Sequence, residues 1–155
     1  MLNSLTGEFD CKLDAKGRMR LPAQLMKQLA SYQSDEFIVN RGYENHLMLY
    51  PKAVWGEKTK EINRLNLNVK EQRQAIRYFY RGASEIKVDG SERVLLPKPL
   101  LDYAGIEREV VLFAYQEQIE IWDKKSYEEM LDNEPENFSD LAEKIWGNNS
   151  TSEEQ

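Results

Sequence analysis

The stretch Lys12-Leu13-Asp14-Ala15-Lys16-Gly17-Arg18-Met19-Arg20-Leu21-Pro22-Ala23-Gln24-Leu25 returns 75 positions later as Lys87-Val88-Asp89-Gly90-Ser91-Glu92-Arg93-Val94-Leu95-Leu96-Pro97-Lys98-Pro99-Leu100. Six of the fourteen pairs are identical: Lys12/Lys87, Asp14/Asp89, Arg18/Arg93, Leu21/Leu96, Pro22/Pro97 and Leu25/Leu100. The likeness resumes at an offset of 72, where Leu47-Met48-Leu49-Tyr50-Pro51-Lys52 faces Ile119-Glu120-Ile121-Trp122-Asp123-Lys124 and Trp55 faces Tyr127. An internal repeat makes the chain a pair of like modules rather than one irregular domain. Function is then expected where the copies agree, and divided where they differ.

Each copy reads as strand, turn, strand, short helix and two more strands. In the first, Phe9, Cys11 and Leu13 alternate with Glu8, Asp10, Lys12 and Asp14, the period of a half-buried strand. Asp14-Ala15-Lys16-Gly17 is a turn, in which Asp suits the first position and Gly17 supplies a positive φ without steric cost. The chain returns through Arg18-Met19-Arg20-Leu21, with Met19 and Leu21 on the apolar side and both arginines on the other. Pro22 opens a helix running to about Ala30, because a missing N–H is no loss in the first turn. Phe37-Ile38-Val39 and Leu47-Met48-Leu49-Tyr50 complete the copy. In the second copy Ile86 and Val88 lead in, Asp89-Gly90 turns, and Val94 and Leu96 return. Pro97 starts a helix that Gly105 caps, and strands follow over 110–114 and 119–122. A helical stretch, 53–80, joins the copies and breaks near Leu65, Leu67 and Val69. A second, 126–146 with an interruption at Pro135, follows copy two. The domains are thus module 1 over 8–54, a helical connector over 55–82, module 2 over 83–126, a helical segment over 127–147 and a disordered tail over 148–155.

Charge and composition narrow the classes. One Cys and one His exclude a disulfide framework within the chain and any ordinary zinc site. No apolar segment is long enough to span a bilayer, and residues 1–8 carry no basic start or apolar core of a leader. A soluble cytoplasmic protein is expected. The net charge of −6 lies entirely in residues 124–155, with three basic and nine acidic side chains, whereas residues 1–123 hold eighteen of each. A neutral body leaves room for local basic patches, which matter more to a phosphate backbone than the whole-chain charge.

A strand, a D-x-x-x-R turn, a return strand and a Leu-Pro that opens a helix resemble the SpoVT/AbrB-type swapped-hairpin DNA-binding module. Two tandem copies, each followed by helices, resemble the MraZ family of bacterial transcriptional regulators. D-x-x-x-R alone is a weak pattern; twice, with Leu-Pro at the same offset, it is specific. The resemblance implies an α+β fold of two tandem swapped-hairpin AbrB-like β modules packed as a pseudo-twofold pair, each followed by helices. It implies a non-enzymatic, nucleoid-associated regulator that assembles into closed rings. Its DNA would be direct repeats upstream of the cell-division and cell-wall gene cluster, its own promoter included. The basic arm of the D-x-x-x-R turn would face that DNA.

The residues divide this role between the copies. Asp10 to Arg20 holds four basic and two acidic residues, whereas Glu85 to Leu95 holds Lys87 and Arg93 against Glu85, Asp89 and Glu92. Lysine and arginine release counterions from phosphates, and nearby carboxylates undo that gain. Lys12, Lys16, Arg18 and Arg20 are therefore the DNA-binding candidates, with Asp14 and Gly17 orienting the turn. Arg18 is the residue type that forks onto a guanine edge or a phosphate. Asp89 and Arg93 are read as a structural surface pair, since Glu92 replaces Gly17 and Leu95 replaces Arg20.

Other features carry less. Lys58, Lys60, Arg64, Lys70, Arg73, Arg77 and Arg81 face only Glu61 and Glu71, and read first as a solvated helical face, with phosphate contact or pairing with a neighbouring acidic tail as alternatives. Tyr78, Phe79 and Tyr80 read as packing surface, Cys11 as a small core residue and His46 as a surface residue. Phosphate-loop, dinucleotide and metalloprotease motifs are missing, no cofactor or metal is expected, and a Mg²⁺ site between Asp14 and Asp89 is disfavoured because turn chemistry explains both. Two small half-cores and the strand Val110-Val111-Leu112-Phe113 lead to the expectation of burial between subunits. The alternative function is an oligomeric, antitoxin-like interaction protein that does not bind DNA.

Overall fold

The computed structural model describes residues 4–133 and 137–147. It divides into two compact units, Met1–Lys124 and Lys125–Gln155. In the first unit, copy one supplies β1 (Leu5–Lys12), β2 (Arg18–Arg20), α1 (Ala23–Leu29), β3 (Glu36–Arg41) and β4 (Leu47–Pro51). The connector forms α2 (Lys52–Lys58), α3 (Lys60–Asn63) and α4 (Lys70–Tyr80). Copy two supplies β5 (Ser84–Lys87), β6 (Arg93–Leu95), α5 (Lys98–Ala104), β7 (Glu109–Gln116) and β8 (Gln118–Asp123).

The copies exchange their first strands. β1 runs antiparallel to β7 of copy two, and β5 of copy two runs antiparallel to β3 of copy one. The result is a six-stranded sheet ordered β1-β7-β8-β4-β3-β5, beside a two-stranded ribbon of β2 and β6. The pseudo-twofold is visible in the register. Met48 pairs with Glu120, its own counterpart at offset 72, and Met19 pairs with Val94, its own counterpart at offset 75. Hydrogen bonds outside the ladders obey the same symmetry: Leu21 N–H donates to Glu92 O at 3.0 Å and Leu96 N–H donates to Gly17 O at 3.0 Å. Each copy therefore satisfies backbone groups that the other would leave open. This is the α+β pair of tandem swapped-hairpin modules.

The alternation of β1 holds through to Leu13, which is buried while Lys12 and Asp14 are exposed. Pro22 and Pro97 stand one residue earlier than expected, as the extended residues just before the first helical turn, with ψ of 143° and 137°. Gly105 ends α5 in the left-handed region at φ 64°, with Ile106 N–H reaching back to Leu101 O, the geometry in which glycine escapes the Cβ clash. Leu25 and Leu29 of α1, and Leu100 and Ala104 of α5, fill the core together with Met19, Val94 and the inner faces of β3, β4, β7 and β8.

Two expectations are corrected. Val110, Val111 and Leu112 need no second subunit: they are buried within the chain, where β7 is a central strand between β1 and β8. Arg81 does not share a helical face with Arg73 and Arg77, because α4 ends at Tyr80 and Arg81 turns to an extended backbone.

In the second unit, α6 (Lys124–Asp132, its first residue belonging to the first unit) is followed by α7 (Phe138–Ala142) and a wider turn over Glu143–Gly147. Asn137 caps α7 by accepting the Ser139 N–H at 3.0 Å. The interruption at Pro135 and the tail 148–155 lie outside the described residues.

Candidate nucleic-acid interface

The spacing D-x-x-x-R is explained by one carboxylate that serves three donors. In copy one, Asp14 Oδ1 accepts the Lys16 and Arg18 N–H groups, both at 2.9 Å, while Oδ2 accepts Arg18 Nε at 2.7 Å. The backbone closes the same turn through Asp14 N–H to Arg18 O at 2.9 Å and Gly17 N–H to Asp14 O at 3.1 Å. Copy two repeats every bond. Asp89 Oδ1 accepts Ser91 N–H at 2.8 Å and Arg93 N–H at 3.0 Å, and Oδ2 accepts Arg93 Nε at 3.0 Å. These donors hold both carboxyls below the usual carboxylate range, the backbone N–H of the paired arginine contributing most.

The left-handed residue of the turn differs. It is Gly17 at φ 84° in copy one and Glu92 at φ 61° in copy two, so the second turn keeps its shape with a side chain in a region that L-residues disfavour. Gly90, although next to Asp89, does not supply the positive φ.

Arg18 and Arg93 lie on the ribbon that joins the copies. Its register sets Arg18 opposite Leu95, Met19 opposite Val94 and Arg20 opposite Arg93. Met19 and Val94 are fully buried on one face, at 0 % exposure each. By strand alternation the other face presents Arg18, Arg20, Arg93 and Leu95. With Nε committed to the aspartate, the Nη groups of Arg18 and Arg93 are the ends that could fork onto a guanine or a phosphate. Lys16 stands exposed in the copy-one turn and, with Leu95 and Lys98, lines a groove of about 480 Å³. Lys12 is set apart from that groove: it ends β1 opposite Glu109, in a smaller recess shared with Asp10, Cys11 and Lys124. Burial, aided by Asp10, raises the Cys11 thiol to about 11 and keeps it neutral.

The Asp–Arg pairing itself does not distinguish the copies; their neighbours do. Lys16 is matched by Ser91, Gly17 by Glu92 and Arg20 by Leu95. The antiparallel ribbon also puts the two turns at opposite ends, and each aspartate is engaged by its own arginine. Among the described residues no group of three His, Cys, Asp or Glu side chains could hold a metal ion. No helix among them is long and apolar enough to cross a membrane.

The remaining candidates are accounted for by packing. Phe79 stacks on Trp55 at 6.0 Å and Tyr80 meets it edge-on at 6.1 Å, while Arg41 lies 4.4 Å over the Tyr78 ring. Arg73 donates through Nη1 to Leu67 O, which ties the start of α4 to the loop before it. His46 is a correction. It is 5 % exposed, not a surface residue, and stacks on Trp122 at 4.4 Å with Glu120 3.9 Å from its Nε2. Its ring also fills the space above Gly42, where a Cβ would stand 2.4 Å away. Burial holds His46 below its ordinary pKa, against the opposing pull of Glu120 and Glu44. A lone histidine at the end of the turn Gly42-Tyr43-Glu44-Asn45 gave no periodicity from which this could be read. The Arg20–Arg93 opposition did have a signal: once Met19 faces Val94, its counterpart at the repeat offset, antiparallel pairing sets the next residue, Arg20, opposite the one before, Arg93.

Two copies of one unit that exchange first strands, and that present both D-x-x-x-R turns at the ends of a shared ribbon, define a tandem swapped-hairpin protein. This chain belongs to the MraZ family: the family model described as "MraZ protein, putative antitoxin-like" matches it twice, over residues 4–78 and 79–149. It is similar to the protein named transcriptional regulator MraZ of Christiangramia forsetii, 43 % identical over 149 residues and 96 % of either chain. The same name is carried by relatives in Flavobacterium psychrophilum, 38 % identical over 95 % of this chain and 94 % of that one, and in Desulforamulus reducens, 34 % identical over 90 % and 95 %.

Proposed function

We propose that the chain is a transcriptional regulator that binds double-stranded DNA in a sequence-specific manner through the β2–β6 ribbon and the copy-one turn. The observation that carries this reading is the ribbon face, where Arg18, Arg20 and Arg93 stand together, Arg20 exposed and the other two half-buried. A two-stranded ribbon fits the major groove of B-form DNA, and arginine is the side chain best suited to guanine edges there. The relatives' name, transcriptional regulator, agrees with it. Lys16, Arg18 and Arg20 make the main contacts, Lys12 adds a flanking one from the end of β1, Asp14 and Gly17 hold the turn, and Asp89 with Arg93 serves mainly to shape copy two.

The sites are direct repeats upstream of the cell-division and cell-wall gene cluster, including the protein's own promoter. The chain acts there as a ring-shaped homo-oligomer, cytoplasmic and nucleoid-associated, so that several ribbons engage several repeats and gain by effective concentration. It performs no catalysis and uses no cofactor. A second reading, an antitoxin-like assembly protein, is favoured by exposed Phe138, Ile145 and Trp146 in the second unit, an apolar set suited to a protein partner.

Fluorescence anisotropy on duplex DNA from upstream of the gene separates the two. The regulator reading predicts tight binding whose logarithm falls linearly between about 50 and about 200 mM salt, and much weaker binding to unrelated DNA. Absent or salt-insensitive binding overturns it in favour of the assembly protein.

A further inference from the structure

Leu95 is out of place on the ribbon. Its neighbours Val94 and Leu96 are buried at 0 % and 2 %, as core residues should be, but Leu95 is 55 % exposed and shares its face with three arginines. It lies directly opposite Arg18, and its Cδ1 is 3.9 Å from where a Cβ on Gly17 would stand, beside the copy-one turn. Lys16 and Lys98 line the same groove, as do Asp14, Asp102 and Glu107, whose charges disfavour a phosphate at that wall. An apolar group set among arginines on the ribbon face, with carboxylates on the groove wall behind it, suits a base edge better than a phosphate backbone.

Resting on the regulator reading, we infer that Leu95 is a specificity-determining residue that contacts the 5-methyl group of a thymine in the major groove. Among base-pair edges in that groove only thymine offers an apolar group, and aliphatic side chains are its natural partners. The pseudo-twofold then acquires a meaning. The register sets Leu95 beside Arg18 at one end of the ribbon and Arg93 beside Arg20 at the other, so the two ends present different side chains to the groove. One ribbon thus reads an asymmetric sequence although its fold is symmetric.

The test compares two duplexes of the same upstream sequence, one with thymine and one with deoxyuridine in its place throughout, which removes the methyl and keeps the pairing. The wild-type chain binds the thymine duplex tighter by about fourfold for each ribbon engaged, the effect of burying one methyl group. Leu95→Ala brings the ratio close to one, Leu95→Arg does the same without weakening binding to the deoxyuridine duplex, and Arg20→Ala leaves the ratio intact. Comparing ratios between variants cancels any effect of the methyl on duplex shape. Equal ratios in the wild type and Leu95→Ala, or a change in assembly size in Leu95→Ala by light scattering, overturn this inference alone. Failure of the wild type to bind either duplex overturns the regulator reading and this inference with it.

Discussion

Arg20 of copy one stands directly across the ribbon from Arg93 of copy two. Like charges in that position destabilise a sheet, and Arg93 is tied to Asp89 whereas Arg20 is exposed. A fold selected only for stability would not repeat an arginine here. The opposition is relieved when a polyanion lies over the ribbon.

Arg20→Leu, which copies the residue that copy two already uses, should therefore trade function for stability. Urea unfolding should show stability unchanged or raised by up to about 1 kcal/mol, while affinity for the upstream duplex falls. Loss of stability together with retained affinity would mean that Arg20 is a structural residue.

The two turns differ in strain. Glu92→Gly should stabilise the chain by roughly 1 kcal/mol, because glycine adopts φ near 61° without the penalty that a β-carbon imposes. Gly17→Ala should do the reverse, by a similar or greater amount, since its φ is 84°. Thermal unfolding of both variants checks the sign, and a destabilised Glu92→Gly would show that the Glu92 side chain makes a contact worth more than the strain.

Neither copy has a complete sheet of its own. A fragment ending at residue 78 keeps β1 and β3 but lacks β7 and β5, the strands that pair with them. Such a fragment should be unfolded as a monomer and fold only by pairing with a second fragment in place of copy two, which circular dichroism with light scattering would register as concentration-dependent structure. A folded monomer would contradict the exchange of strands.

Burial keeps His46 neutral, so its folded pKa lies below the unfolded value of 6.5. The unfolded chain then binds the extra proton first, and the stability linked to His46 is present above the unfolded pKa and lost as pH falls toward the folded one. Denaturation midpoints should drop between pH about 7 and about 5. His46→Phe preserves the stack on Trp122 and should flatten that slope. Asp14 and Asp89 do not obscure it: both have lowered pKa values and affect stability only below their ordinary range near 3.8. An unchanged slope in His46→Phe would remove His46 as its source.

The sequence carried the repeat, the turns and the helices, because each is written in local chemistry: aspartate at a turn, proline before a helix, glycine after one. The partners of the strands were not legible locally. β1 shows the same alternation whether it pairs with β2 in a hairpin or with β7 some hundred residues away, and only the resemblance to a swapped-hairpin module pointed to exchange. The apolar run at Val110 was misread as a subunit contact for a related reason, since a central strand of one chain and an interface strand share one composition. The candidate cations were legible as a cluster, but the ribbon register that separates Lys12 from Arg18 and Arg20, and brings Arg93 and Leu95 to join them, is a tertiary fact.

The central claim is that the ribbon binds DNA and that copy one leads. The direct measurement is affinity for the upstream duplex across salt concentrations for Arg18→Ala and Arg93→Ala, each first shown to keep its assembly size. A lost base contact typically costs about 1–3 kcal/mol per site, and several ribbons on one DNA multiply it. Arg18→Ala is predicted to lose affinity well beyond tenfold and Arg93→Ala much less, because Lys16 supports the first turn whereas Glu92 opposes the second. Equal losses would show that both copies read DNA alike, and an Arg18→Ala variant that binds as the wild type does would contradict the account at its root.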